Sequence, residues 1–187
     1  MAKKIYRIIS WSLLALTLIS ILLVLRKPSL PPVETSPEAA NSFDQKIAQM
    51  EQAHQQGRPQ EIRITEGELN SKLQESLRTT PAAASGPAEL KAATVHLEGD
   101  KLVGSFTVNV SGKDLYVTLG GTLNTTNGQL QFTPSEVKMG SLPVPLSAVE
   151  STLLDKLNSP EMRERMKLPE SIKDVRIVNG QLVLQAQ

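Results

Sequence analysis

Residues 94–123 read TVHLEGDKLVGSFTVNVSGKDLYVTLGGTL, and apolar side chains alternate with polar ones along most of this stretch. A period of two residues indicates β-strands with one buried face, because successive side chains of a strand point to opposite sides of the sheet. Gly99-Asp100 can turn the chain between the first two strands of a hairpin. Strands that are apolar on one side only belong to antiparallel sheets with one solvated face. The stretch therefore predicts an antiparallel sheet.

The strand pattern continues towards the C-terminus. Asn-Gly pairs at 127–128 and 179–180 lie between alternating apolar runs, and each predicts a further hairpin. The Gly-Gly pair at 120–121 lies inside a strand pattern and no helix follows it. It therefore predicts a bulge or a sharp bend in the sheet and not a phosphate-binding loop.

Two helices are predicted before the sheet. Apolar side chains recur at helical spacing over residues 42–57, with the hydroxyl of Ser42 as the expected N-cap. Thr65 followed by Glu68 forms a capping box, in which each side chain satisfies a backbone N–H group of the other residue. This motif predicts a second helix that ends near residue 78.

Further helices are predicted after the sheet, over residues 146–157 and as a short turn over residues 161–166. Residues 79–92 are rich in Ala, Pro, Ser and Gly and are expected to form a surface loop. Together these elements predict an α+β fold, in which amphipathic helices cover the apolar face of a curved antiparallel sheet of five to seven strands.

The N-terminal segment is apolar over residues 5–25, and the 18 residues from 8 to 25 carry no charge. About 20 apolar residues in a helix span a hydrocarbon core of roughly 30 Å. A cleaved signal peptide is the alternative, but its apolar region is typically only about 7–15 residues long and precedes a small-x-small site. Here the run ends in VLRKP at 24–28. We therefore expect a transmembrane signal-anchor helix over residues 5–25, after a cytoplasmic tail of residues 1–4.

Basic residues flank this segment. Lys3, Lys4 and Arg7 lie on its N-terminal side, and Arg26 and Lys27 lie on its C-terminal side. An excess of Lys and Arg marks the cytoplasmic side of a membrane helix. The balance favours a single-pass protein of the cell membrane whose C-terminal part lies outside the cytoplasm.

A proline-rich tether is expected after the anchor. Residues 26–41 read RKPSLPPVETSPEAAN and contain four prolines. Proline at this density favours an extended, semi-rigid spacer of up to about 50 Å. Residues 42–187 are then expected to form one extracytoplasmic α+β domain.

Composition excludes several classes of function. Twenty basic and 19 acidic residues give a net charge of +1, and six aromatic residues are too few for a base-stacking surface, so nucleic acid is not an expected partner. The chain has no cysteine, which removes disulfides, thiol nucleophiles and zinc–thiolate sites. It has two histidines, His54 and His96, and no motif surrounds either one. We therefore expect no enzyme activity, no cofactor and no metal site.

The segment at 139–157, MGSLPVPLSAVESTLLDKL, is an apolar edge strand interrupted by prolines that leads into an amphipathic helix. In one interpretation its apolar side chains are ordinary core. In the other, a sheet curled around the helix leaves an apolar groove that suits an acyl chain. The candidate groove residues are Leu142, Val144, Leu146, Val149, Leu153 and Leu157.

Several short elements follow one another in a recognisable order. The N-terminal anchor precedes ITEGELN at 64–70, the alternating sheet, a Gly-x-Leu-Pro-x-Pro element at 140–145, Leu-Pro at 168–169 and VRIVNGQL at 175–182. In this order the chain resembles bacterial membrane-anchored, extracytoplasmic proteins of the YpmS type and, more loosely, the LmeA-like secreted proteins. Those are similar to the tubular lipid-binding (TULIP-like) architecture, a curled sheet wrapped on a long helix. The resemblance implies a location and a lipid-facing role, and it supplies no functional residue.

Two functions stay open at this point. The first is a membrane-tethered, non-enzymatic domain that binds a lipid or another apolar envelope molecule. The second is a structural or interaction protein that docks an envelope complex through the charged run at 161–167 or through a sheet edge. The expected partners are therefore the membrane, through the N-terminal helix, and either a lipid or an envelope protein.

Overall fold

The computed structural model describes residues 2–28, 31–79 and 88–186, without the side chains of residues 2–11, 14, 88 and 165. Five helices and eight strands lie in these ranges. In chain order they are α1 (Ala2–Leu25), α2 (Pro37–Gln55), β1 (Glu61–Ile64), α3 (Glu66–Thr79), β2 (Ala88–Glu98), β3 (Lys101–Val110), β4 (Lys113–Thr126), β5 (Gln129–Met139), β6 (Leu142–Val144), α4 (Leu146–Leu157), α5 (Pro160–Arg165), β7 (Ile172–Val178) and β8 (Gln181–Ala186).

The strands form two antiparallel sheets, one of five strands in the order β2-β3-β4-β5-β6 and one of three in the order β1-β8-β7. The α+β class, the antiparallel pairing and the predicted hairpins are confirmed. The central sheet has five strands, within the predicted range of five to seven, but the expectation of a single sheet is wrong, because β1 pairs with the C-terminal hairpin in a second sheet. Strand β2 also begins at Ala88, inside the stretch expected to be a loop.

The two sheets meet between β4 and β7 without a backbone ladder. The Val175 N–H donates to the Thr125 hydroxyl oxygen at 2.8 Å, and that hydroxyl lies 3.5 Å from the Val175 carbonyl oxygen. A side chain therefore takes the place that a neighbouring strand would occupy. The hairpin turns of the two sheets are also hydrogen-bonded: the Gly180 N–H, between β7 and β8, donates to the Gly99 carbonyl, between β2 and β3, at 3.0 Å.

The Gly-Gly pair forms the predicted irregularity, since the register between β4 and β5 shifts between Gly120 and Gly121. A Cβ atom added to Gly121 would overlap the Thr133 carbonyl oxygen of β5. The close approach of the two backbones therefore requires glycine at this position.

The largest core cluster lies between α2 and the three-stranded sheet. Met50 and Ile64 are fully buried there, and Val175 and Leu184 pack with them. A second cluster joins this core to the five-stranded sheet, and Leu69 of α3 packs against both clusters.

Helix α2 begins five residues earlier than predicted. The Ser36 hydroxyl accepts the Ala39 N–H at 3.1 Å, and Pro37 occupies the first helical turn, where its missing N–H costs nothing. Ser42 is therefore not a cap, and residues 37–41 are helix and not tether.

Helix α3 closes the outer edge of β2 through its side chains. The Asn70 carboxamide accepts the Val95 N–H at 2.8 Å and donates to the Val95 carbonyl at 2.6 Å. It also donates to the Glu66 carbonyl at 2.8 Å, and Asn70 is almost completely buried. One amide group thus replaces the neighbouring strand that this residue of β2 would otherwise need.

The same contact repeats one helical turn to either side. The Glu66 carboxylate accepts the Leu97 N–H at 2.7 Å, and the Gln74 amide donates to the Ala93 carbonyl at 3.4 Å. Four residues of helix rise about 6 Å, and two residues of strand advance about 6.6 Å. The helix row at every fourth residue therefore matches every second residue of the strand.

Glu68 joins α3 to α2. Its carboxylate accepts the Thr65 N–H at 2.8 Å, and the Glu68 N–H donates to the Thr65 hydroxyl at 3.3 Å, so the predicted capping box is confirmed. The Ser42 hydroxyl donates to the same carboxylate at 2.6 Å, and the Lys46 ammonium donates to it at 2.8 Å. Burial raises the pKa of Glu68, but the hydrogen bonds from Lys46, Ser42 and Thr65 outweigh it and lower the pKa to about 2.

We expect Asn70→Ala to destabilise the protein by about 3 kcal/mol, because the buried N–H and C=O of Val95 would lose their partner. Urea unfolding of the full chain in a nonionic detergent, followed by far-UV circular dichroism, measures the loss. Asn124→Ala is the control, since Asn124 is exposed on β4 and should change stability by less than about 0.5 kcal/mol. Equal effects of the two substitutions would contradict the edge-closing role.

We expect Glu68 to make stability depend on pH. Its pKa falls from 4.5 in the unfolded chain to about 2 in the fold, so the ionised carboxylate contributes about 3 kcal/mol above pH 4.5, and this is lost as the pH falls towards 2. Glu68→Gln should lower the unfolding free energy at pH 7 and flatten its decline between pH 5 and 2. The exposed Glu75, paired with Lys72, supplies the control: Glu75→Gln should leave the slope unchanged.

Candidate functional site

Helix α4 has the predicted bounds, but it packs loosely. None of its residues is buried. Leu146, Val149, Leu153 and Leu157 are half-buried, and Leu154 is 38% exposed. An amphipathic helix usually buries its apolar stripe against the core, so α4 leaves apolar surface that nothing in the described part of the chain covers fully.

A cavity of about 400 Å³ lies between the C-terminal half of α4, α5 and the first half of β5. Its apolar lining consists of Leu130, Phe132, Pro134, Leu154, Leu157 and Met166. We call this space the α4–β5 cleft. Ligand pockets of proteins commonly have volumes of about 300–1,000 Å³, so the cleft is large enough for part of an amphiphile.

The cleft lies beside an incompletely paired stretch of β5. Strand β6 pairs with residues 137–139 of β5, and Lys167 forms an isolated bridge with Gln129. Between them, no strand of the described ranges pairs with the outer edge of β5. The register shift and Pro134 in this stretch oppose the addition of another strand.

The mouth of the cleft is polar and carries one cation. Asn127, Asn158 and the exposed Arg163 line it, and no Asp or Glu is among the lining residues. The Arg163 guanidinium forms no ion pair within the described residues. The electrostatics therefore favour an anionic or neutral occupant over a cationic one.

Of the six predicted groove residues, Leu157 lines the cleft. The other five lie half-buried along β6 and α4, outside the lining. The sequence did not predict Met166 as a lining residue. It lies at the cleft because its carbonyl accepts the Leu130 N–H at 2.8 Å. That pairing joins distant parts of the chain and leaves no local pattern in the sequence.

The end of α1 is fixed to the turn between β5 and β6. The Ser141 N–H donates to the Leu23 carbonyl at 2.8 Å. Gly140 has a φ of +59°, and a Cβ on it would overlap the carbonyl oxygens of Leu23 and Val24. Since α4 follows this turn by way of β6, its first residues lie near the end of α1. The cleft lies towards the other end of β5, whose 11 residues span roughly 33 Å.

The proline-rich segment folds back over the five-stranded sheet and does not extend away as a spacer. We call residues 27–28 and 31–35 the strap. They line a cavity above the sheet, and at their end the Ser36 N–H donates to the Ser71 hydroxyl at 3.1 Å. The strap therefore keeps the end of α1 and the start of α2 on the same body.

The predicted anchor flanks occupy both ends of α1. Lys3, Lys4 and Arg7 lie in the helix, and Arg26 and Lys27 follow its end and are exposed. Within the residues that could be searched, no helix qualifies as a membrane span by length and apolarity.

No group of three or more His, Asp or Glu side chains in the described ranges is placed to hold a metal ion. The chain matches no model of a known protein family. It also has no match among curated proteins.

We expect Gly140→Ala to detach the end of α1 from the sheet, because the added Cβ would collide with the helix carbonyls. Spin labels on Leu22→Cys and Lys113→Cys, in a chain with no other cysteine, should show a broadened distance distribution by double electron–electron resonance. Gly99→Ala is the matched control for Gly140→Ala. Gly99 has a similar φ of +65°, but a Cβ added to it would have no atom within 4 Å. The junction would be refuted if both substitutions left the distribution equally narrow.

Proposed function

We propose that the protein is a membrane-tethered, extracytoplasmic, non-enzymatic domain that takes the acyl chain of a lipid or another apolar envelope molecule into the α4–β5 cleft. One observation carries this proposal: the end of α4, an amphipathic helix with no buried residue, lies beside a cleft of about 400 Å³ whose lining includes several apolar side chains. Close packing is the rule in protein interiors. The cleft is open at the surface, and a space of this size lined partly by apolar side chains is typical of ligand sites.

Membrane attachment is supported by the sequence and by the length of α1. Its 24 residues measure about 36 Å, which exceeds the roughly 30 Å of a hydrocarbon core. The basic flanks favour an N-terminus in the cytoplasm. The resemblance to the YpmS-type proteins favours the same arrangement.

The α1 junction then determines how the cleft is oriented. A helix that spans the membrane and ends at Leu25 would hold the β5–β6 turn and the start of α4 against the bilayer surface. The half-buried stripe of Leu146, Val149 and Leu153 leads from there along α4 to Leu157 in the cleft. An acyl chain could follow this apolar path from the bilayer, and the polar mouth with Arg163 would face away from the membrane.

The second candidate is a docking protein of an envelope complex. It is supported by the exposed, mixed-charge side chains of Glu161, Arg163, Glu164 and Lys167 around α5. These residues present both signs of charge on one short segment, as polar rims of interfaces do. The lipid experiment distinguishes the two candidates.

We expect a diazirine-bearing palmitoyl phospholipid to label the full chain in phosphatidylcholine vesicles within residues 130–134 and 154–166. Leu154→Trp, which fills the cleft, should lower labelling there at least fivefold. Leu90→Trp is the matched control, because Leu90 has the same 38% exposure and does not line the cleft. It should leave the labelling unchanged. Peptide mapping by mass spectrometry gives both results.

Labelling confined to residues 5–25 would show membrane insertion without a lipid site, and the docking function would then be preferred. If residues 130–134 and 154–166 are labelled but Leu154→Trp does not reduce the labelling, the lipid contacts these residues from outside the cleft.

A further inference from the structure

A second cavity, of about 360 Å³, separates the strap from the polar face of the five-stranded sheet. Pro28, Pro31, Pro32 and Val33 form its outer side. Its polar floor consists of Thr94, His96, Ser105, Thr107 and Tyr116. We call this space the strap cavity; Phe106 and Val117 of the sheet and Asn70 and Gln74 of α3 also line it.

The imidazole of His96 is held in one orientation from the side of α3. Its Nδ1 lies 3.2 Å from a carboxylate oxygen of Glu66, and the other oxygen accepts the Leu97 N–H at 2.7 Å. An ionised carboxylate can only accept hydrogen bonds, so for a neutral imidazole this contact assigns the proton to Nδ1. The opposite nitrogen, Nε2, is then an acceptor with a free lone pair.

This acceptor has no partner in the described part of the chain. The His96 side chain is 5% exposed, and its Nε2 is buried without a hydrogen bond. A buried polar atom without a partner costs free energy and calls for an explanation, such as a bound molecule. His96 lines the strap cavity and its Nδ1 is occupied by Glu66, so a partner for Nε2 that enters through this cavity would not have to displace the Glu66 contact.

The surroundings of Nε2 define what could bind. Thr94 lies two residues before His96 on the same face, opposite Ser105 of β3. Hydroxyl groups both donate and accept hydrogen bonds. No Asp or Glu is among the residues that line the cavity, and Lys27 lies at the end nearest α1. The lone pair of Nε2 requires a donor, which a hydroxyl group supplies and a simple anion does not.

We propose that the strap cavity binds a small neutral polyol, such as a sugar ring or a glycerol unit, one of whose hydroxyls donates to Nε2 of His96. The floor hydroxyls pair with its other oxygens, and the prolines of the strap pack against its C–H groups. This site is separate from the α4–β5 cleft and does not rest on the lipid proposal. A free sugar and the headgroup of a glycolipid would offer the same chemistry.

The test uses the full chain with ¹⁵N-labelled histidine in phosphatidylcholine nanodiscs. The chain has two histidines, so a His54→Gln variant assigns the His96 signals. Glucose and glycerol are titrated in one arm, and glucosyl diacylglycerol is included in the nanodiscs in the other. We expect a saturable shift of the His96 Nε2 resonance towards its hydrogen-bonded position. The arm that saturates identifies a free or a lipid-linked polyol.

Thr94→Val removes one floor hydroxyl without changing the side-chain shape, and we expect it to weaken binding of the responding probe about tenfold. Thr122→Val is the matched control on the same face of β4, outside the cavity, and it should bind as the unsubstituted chain does. Equal affinity of the two variants would overturn the proposal. So would a Nε2 resonance that no probe moves and that reports a hydrogen bond to water alone.

Discussion

The rest of the fold depends on hydrogen bonding at the outer edge of β2. A strand edge presents backbone N–H and C=O groups, which have to be paired if they are buried. Helix α3 meets this need with an amide and a carboxylate, because its four-residue repeat matches the two-residue repeat of the strand. The same helix places Leu69 in both core clusters and Glu68 against α2. One short helix therefore connects both sheets and α2.

The opposite edge of the same sheet is treated differently. Beyond β6, the edge of β5 is flanked by α4, none of whose residues is buried, and by the isolated bridge at Lys167. The edge of β2 is closed by directional hydrogen bonds, which allow little change in spacing. The edge of β5 is bounded by apolar contacts, which tolerate a change in spacing at small cost. The less rigidly closed of the two edges is therefore the one beside α4, where the proposed lipid cleft lies.

The position of α1 connects this capacity to the proposed membrane role. The bond from Ser141 to Leu23 and the close contact at Gly140 hold the helix end at the start of the β6–α4 segment. The strap adds a second connection, from Lys27 to Ser36, across the polar face of the sheet. A body joined to its helix at two places has a defined orientation, whereas a body on an extended spacer would not.

Much of the local structure could be predicted from the sequence. The hairpins, the capping box at Thr65 and Glu68, the irregularity at 120–121 and the bounds of α4 all follow from residues close together in the chain. The start of α2 also had a local signal, since Ser36 before Pro37 is a typical N-cap and first turn, but the density of prolines favoured a tether.

Tertiary contacts alone decided the division into two sheets, the fold-back of the strap and the lining of both cavities. Each depends on pairs that are far apart in sequence, such as Thr125 with Val175 or Leu130 with Met166. Residue types determine which hydrogen-bonding and apolar groups a segment offers. Which of these groups contact one another depends on the entropy of closing long loops and on competition between alternative pairings. Both depend on the whole fold, so the local sequence does not predict them.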